Sequence, residues 1–296
     1  MWSLVKRRGT ASACGSATVV NAIATGKGAA FGVELRVRAS CELTDRPGEI
    51  IGRVTDDPLE SPRLIEICAQ RVLKHFKLER TYGARVQTRS EFPIAVGLSS
   101  SSAAANATVL ATFAALGKKP KPKLVLDLGI DAAFEAGVTI TGAFDDAAAS
   151  FFGFGAVTDN TKRLVLRRFR LDPKLAVLIY VPPMKFHTSK INIAQTKPIQ
   201  SGVKVAHDQA IRGNIFGALT LNGLLYSGAL GYDPTIALDA LATGALAAGL
   251  TGTGPAVVAI AKSSNAEDIK RSWRGRPGRI ITTKPAVKGA RIERCP

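Results

Sequence analysis

Apolar and polar positions in the first third of the chain follow the two-residue period of β-strands. Between residues 31 and 43, Phe31, Val33, Leu35, Val37, Ala39 and Cys41 alternate with Glu34, Arg36, Arg38 and Glu42, which predicts a strand with one buried face. Shorter strands are expected at 17–23, 49–54 and 84–90, the second just after the Pro47-Gly48 turn. Leu64, Ile65, Cys68, Val72, Leu73 and Phe76 recur at helical spacing behind Pro62, so a helix is expected over 62–76.

Past residue 90 the pattern turns helical. Helices are expected over 103–116, 124–135, 145–151, 206–227, 236–248 and 266–274, with strands at 175–181, 256–261 and 279–283. The basic run 118–123 reads as a solvated connection, and 182–203 as a loop. A polar, very basic stretch at 159–170 precedes an apolar strand, which places a boundary between units 1–165 and 166–296. Strands and helices mixed without strict alternation, and with many hairpins, imply an α+β fold in two lobes.

Composition narrows the function classes. The chain has 296 residues, 46% of them hydrophobic, enough to bury a large core, so extended disorder is excluded. Uncharged windows at 92–117, 213–232 and 240–261 are interrupted by Ser, Thr, Asn, Gly or Pro, so they are expected in a soluble core rather than a membrane. Cys14, Cys41, Cys68 and Cys295 form no CxxC pair and His75, His187 and His207 no HExxH, which argues against zinc and disulfides and for a cytoplasmic protein with reduced thiols. A formal charge of +17 suggests a polyanionic partner: nucleic acid, a membrane surface or a phosphorylated small molecule. Nucleic acid is disfavoured, because aromatic residues are only 6% and the arginines are scattered without a stacking array.

The strongest chemical signal is Pro93-Ile94-Ala95-Val96-Gly97-Leu98-Ser99-Ser100-Ser101-Ser102-Ala103-Ala104, a small-residue loop between a strand and a helix. Unpaired amides and the positive end of a helix dipole would meet there, which makes an anion site. A plain serine N-cap would explain one of these serines but not four. A second small loop, Gly249-Leu250-Thr251-Gly252-Thr253-Gly254-Pro255, is an ordinary turn on its own; beside the first it suggests two lobes closing on one ligand. The third element is Glu135 followed by Thr141-Gly142-Ala143-Phe144-Asp145-Asp146-Ala147. Carboxylates there could serve phosphoryl transfer, or simply favour a helix start. Neither GxxxxGK[ST] nor the HRD and DFG pair is present, so P-loop and protein-kinase folds are disfavoured.

Together the three elements resemble the three motifs of the GHMP kinase superfamily. The resemblance spans nearly the whole chain and is nearest to archaeal-type shikimate kinases, on Asn21-Ala22-Ile23-Ala24-Thr25-Gly26-Lys27-Gly28, the serine loop, Thr141 to Asp146 and Ile281-Thr282-Thr283-Lys284-Pro285. It implies an N-terminal lobe like domain 2 of ribosomal protein S5, a ferredoxin-like C-terminal lobe, and ATP- and Mg²⁺-dependent phosphorylation of the 3-hydroxyl of shikimate by a monomer or homodimer; homoserine or a mevalonate-pathway acceptor is the alternative. By that resemblance Pro93, Gly97, Leu98, Ser99, Ser100, Ser101, Ser102 and Ala103 would wrap the ATP phosphates, and Ser101 or Ser102 with Glu135 would hold Mg²⁺. Asp145 or Asp146 would be the base, Asp145 being the better match. Asn21, Lys27, Thr251, Gly252, Thr253 and Gly254 would face the acceptor. Lys27, Lys185, Lys190 and Lys284 are the cations available for its carboxylate. Ser99 departs from the family pattern, standing where most members have glycine.

Overall fold

A computed structural model describes residues 7–186, 188 and 191–293. His187, Lys190 and Cys295, named above, lie outside them. The chain begins with β1 (Arg8–Val20), which runs antiparallel to β2 (Lys27–Thr44). Periodicity revealed only the end of β1, because small residues such as Ala11, Ala13 and Ala17 are buried along it and leave no polar alternation to read. The other side of β2 is shared. Its far half pairs with β4 (Gly83–Ser90), which runs parallel to β3 (Ile50–Val54), and its first residues pair with β5 (Gly155–Asp159).

β5 turns back into β6 (Leu164–Phe169). The basic stretch expected to separate the lobes is therefore a hairpin of the first sheet, with β6 on its edge and Arg167 and Arg168 facing solvent. A boundary after residue 165 would cut β6. The change of sheet falls between Phe169 and Ala176, where β7 (Ala176–Val181) begins.

Two helices cover the first sheet, α1 (Arg63–His75) and α2 (Ser100–Ala115), and α3 (Pro122–Glu135) packs on both of them. A Cβ on Gly9 of β1 would lie 2.2 Å from the Ala111 carbonyl of α2, so helix and strand touch backbone to backbone. The alanines of α2 permit this approach, and they are why an uncharged window that mimics a membrane span is a buried helix. A fourth helix, α4 (Phe144–Phe152), packs against β1, β2 and β5. No helix among the described residues is long and apolar enough to cross a membrane.

The second sheet is β10 (Arg279–Thr283), β7, β9 (Val257–Ala261) and β8 (Ala247–Leu250), all antiparallel. Taken in chain order the four strands are arranged 4-1-3-2, with helices in the first and last crossovers, which is the ferredoxin-like arrangement. The helix expected over 206–227 is two, α5 (Gln200–Arg212) and α6 (Ile215–Leu230). Gly213, at φ 96°, breaks it, and the Asn214 side chain starts α6 by accepting from Gly217 N. The helix expected over 236–248 stops early, as α7 (Thr235–Ala242), because residues 247–250 join the sheet. After α8 (Ala266–Ser272) and β10 the chain returns to the first lobe. There β11 (Arg291–Glu293), which had no periodic signature, pairs with β1.

Candidate active site

The serine loop leads into α2 through three left-handed residues, Ala95 at φ 58°, Gly97 at φ 92° and Ser99 at φ 57°. A plain N-cap is excluded, since no side chain caps the helix and the Ser99 hydroxyl bonds Asp146 instead. Ser99 thus holds a conformation that favours glycine while its hydroxyl serves a carboxylate. The amides of Ser100, Ser101 and Ser102 precede the first helical bond, Ala103 N to Ser99 O at 3.0 Å. All four serines line a cleft whose empty volume is about 1050 Å³, open solvent at its mouth included.

The second small loop locks onto the first. Thr251, fully buried, donates its hydroxyl to Gly97 O (2.9 Å) and accepts from Thr18 N (2.9 Å). The Thr18 hydroxyl in turn accepts from Gly252 N (2.9 Å), and Ala256 N donates to Val96 O (3.1 Å). A Cβ on Gly97 would lie 2.2 Å from the Thr251 carbonyl. Gly252 and Thr253 line the cleft, whereas Thr251 and Gly254 stand behind it as the joint between lobes. Asn21 lines the cleft too, but its side chain is engaged: Nδ2 donates to Gly252 O (2.8 Å) and Oδ1 accepts from Ile23 N. Pro93, Leu98 and Ala103 are not on the cleft wall.

Asp145 and Asp146 open α4, whose cap residue, Ala143, is also left-handed and offers no side-chain cap. Two helix N-termini therefore face one cavity. Asp145, only 3% exposed, accepts from Asn160 Nδ2 at 2.8 Å, and its own amide donates to Asn160 Oδ1 (3.3 Å). The Thr158 hydroxyl fixes that Asn160 oxygen at 2.7 Å. Burial first, and the Asp146 charge second, push Asp145 up to about 7, against the pull of Asn160. Asp146 is half-buried; burial raises it as well, and the Ser99 and Ser16 hydroxyls oppose the rise, Ser16 Oγ at 2.9 Å. The two carboxylates thus have separate settings. One is held by an amide deep in the wall, the other by hydroxyls beside the serine loop.

Four further expected residues lie elsewhere. Glu135 is on the outer face of α3, 2.7 Å from Arg71 of α1, and does not line the cleft. Lys27 is exposed and outside the lining. Lys185 pairs with Asp57, and exposed Lys284 serves through its carbonyl, which accepts from Glu34 N. Among the described lining residues there is no Lys or Arg at all, while Glu60, Asp145 and Asp146 are present. The excess positive charge is therefore not gathered in the described part of the cleft, and the helix N-termini supply its positive potential.

Several contributors were missed in the sequence. Asn160 and Ser16 lie far from the motifs and meet them only through sheet pairing. Gly28 was noticed only as part of a motif; a Cβ there would sit 2.3 Å from Asp145 Oδ2, so a glycine is what leaves room for the carboxylate.

Among the described residues no group of three or more His, Cys, Asp and Glu could hold a metal. Two carboxylates beside serine hydroxyls do fit Mg²⁺, which binds one or two carboxylates and completes its shell with phosphate oxygens and water.

Comparison with known proteins gives a consistent picture. The model of the GHMP kinase N-terminal domain matches residues 63–154, and that of the GHMP kinase C-terminal domain matches residues 215–279. A shikimate kinase of Methanothermobacter thermautotrophicus is 44% identical over 94% of this chain and 96% of its own. One from Methanosarcina mazei is 43% identical over 95% of this chain and 96% of its own. In fold, a crystal structure of homoserine kinase from Cytophaga hutchinsonii superposes with a TM-score of 0.74 at 18% identity, covering 99% of both chains.

Proposed function

The chain belongs to the GHMP kinase family, in the company of the archaeal shikimate kinases, and on that footing we propose that its cleft transfers the γ-phosphoryl group of ATP to the 3-hydroxyl of shikimate. The observation that carries the mechanism is the buried Asp145 beside two helix N-termini in one cavity. The amides of Ser100 to Ser102 bind the triphosphate, and the α2 dipole favours its negative charge. Asp145 orients the acceptor hydroxyl and takes its proton. The hydroxyl oxygen then forms a bond to the γ-phosphorus, the bond to the β-phosphate oxygen breaks, and ADP leaves.

Mg²⁺, when bound, neutralises charge on the phosphate oxygens. Asp146 and Ser101 or Ser102 are the residues that would hold it, because Glu135 is engaged with Arg71 on the outer surface. This changes one expected ligand. Calorimetric Mg²⁺ titration of the ATP-bound protein is expected to show a loss of about tenfold or more in affinity for Asp146→Asn and little change for Glu135→Gln. Equal losses in both variants would return Glu135 to the metal.

Thr188 and Thr253, whose hydroxyls lie 3.1 Å apart on the cleft wall, are the polar groups we assign to the acceptor, in place of the expected lysines at 27, 185 and 284. A screen of shikimate, homoserine and mevalonate with ADP detection tests the acceptor. Turnover is expected with shikimate, and turnover with another acceptor alone would overturn the assignment. A cytoplasmic location accords with this small-molecule chemistry and belongs to the same proposal.

A further inference from the structure

A second cavity lies away from the cleft, where the link between the two sheets meets the returning C-terminal segment. Its empty volume is about 500 Å³, open solvent at the mouth included. The walls are Phe31 of β2, Phe154 between α4 and β5, Leu171 and Pro173 of the link, and Pro285 and Val287 of the returning segment. Arg170 is the one charged residue among the described lining residues.

The state of these groups limits what the cavity can hold. Phe154 stacks on Phe152 with ring centroids 4.9 Å apart and planes within 6°, and the Arg168 guanidinium lies 5.3 Å from the Phe154 ring centroid. That wall is a fixed aromatic face with positive charge near it. Arg170 is exposed and, among the described residues, makes no hydrogen bond or ion pair. The returning segment is anchored on both sides of the cavity, by Ala286 N to Gly32 O at 2.8 Å and Ala290 N to Phe151 O at 2.7 Å, so the apolar walls are held in place. An apolar, ring-sized space rimmed by one unpaired guanidinium matches a molecule with a flat apolar body and a single carboxylate. A guanidinium binds that carboxylate in a fork, and aromatic walls take a ring in stacked or edge contact.

We propose that this cavity is a second ligand site, for a compact aromatic monocarboxylate whose ring lies between Phe31, Phe154 and Val287 and whose carboxylate meets Arg170. The site is independent of the phosphotransfer reading, since none of these residues lines the cleft.

The test uses 3-phenylpropionate, with 3-phenylpropanol as its uncharged counterpart, titrated into the full-length protein and followed by amide chemical shifts. The protein is first saturated with shikimate and a non-hydrolysable ATP analogue, so that the cleft is closed to the probe. Saturable shifts are expected at Phe31, Phe154 and Val287, weakened tenfold or more by Arg170→Ala and further by Arg170→Glu, with the alcohol binding more weakly than the acid. Arg170 is exposed, so both variants should fold, and unchanged kinase turnover would establish that they do. No saturable binding, binding indifferent to Arg170, or shifts confined to the cleft would overturn the proposal, leaving the kinase assignment intact.

Discussion

Asp145→Asn is expected to lower kcat by about 10²- to 10⁴-fold, the range for losing a general base, while ATP binding is retained. The neutral amide still fills the pocket opposite Asn160 but cannot take the hydroxyl proton. Asp146→Asn should affect the Mg²⁺ requirement first, so the pair of variants separates the two carboxylates. In the wild type only ionised Asp145 acts as base, so kcat/KM for the free enzyme should rise with pH through about 7. That acidic limb should disappear in Asp145→Asn.

The same burial affects stability in the opposite sense. Because the folded protein holds the Asp145 proton up to about 7, against 3.8 for the free side chain, this contribution is fully present below 3.8 and is lost as pH rises through 7. At pH 8 the unliganded protein therefore carries an ionised, buried carboxylate, which destabilises it. Asp145→Asn is expected to raise the unliganded Tm at pH 8 and to leave it nearly unchanged near pH 4. A residue placed only for stability would show the reverse.

Gly97→Ala is expected to do the greatest structural damage of any single methyl added to the site. The new Cβ would lie 2.2 Å from the Thr251 carbonyl, on backbone at φ 92° that disfavours side chains. Both the serine loop and the second-lobe loop are fixed by that contact, so neither can move aside without breaking the Thr251 to Gly97 and Gly252 to Thr18 bonds. A loss of about 3 kcal/mol or more in unfolding free energy is expected, with weakened ATP binding. Denaturant unfolding and nucleotide titration of the variant check both effects. Wild-type stability would mean that the two loops do not rest on each other as described.

The residues proposed for the chemistry were legible because their types are unusual for their surroundings. Four serines in a helix start and paired aspartates in a basic chain stand out without any structure. What could not be read is how distant segments complete them. Asn160 reaches Asp145 because β5 pairs with β2, Ser16 reaches Asp146 along β1, and Thr251 reaches Gly97 across the lobes. No local pattern encodes these pairings. Glu135, a carboxylate near the motif in sequence, sits on the outward side of its helix, where Arg71 takes it. The basic stretch at 159–170 misled for a related reason, since an edge hairpin with solvent-facing arginines has the composition of a linker.

One cavity, with Asp145 as its proposed base, is assigned the transfer of a phosphoryl group from ATP to shikimate. The most direct measurement is phosphorus and proton NMR of the products formed from ATP, Mg²⁺ and shikimate by wild-type and Asp145→Asn protein. A single phosphomonoester on the C3 oxygen is expected, formed one to one with ADP by the wild type and at least about a hundredfold more slowly by the variant, in keeping with the magnitude for a lost general base. Phosphate on another oxygen, ADP without phosphorylated shikimate, or an Asp145→Asn protein as fast as the wild type would contradict it.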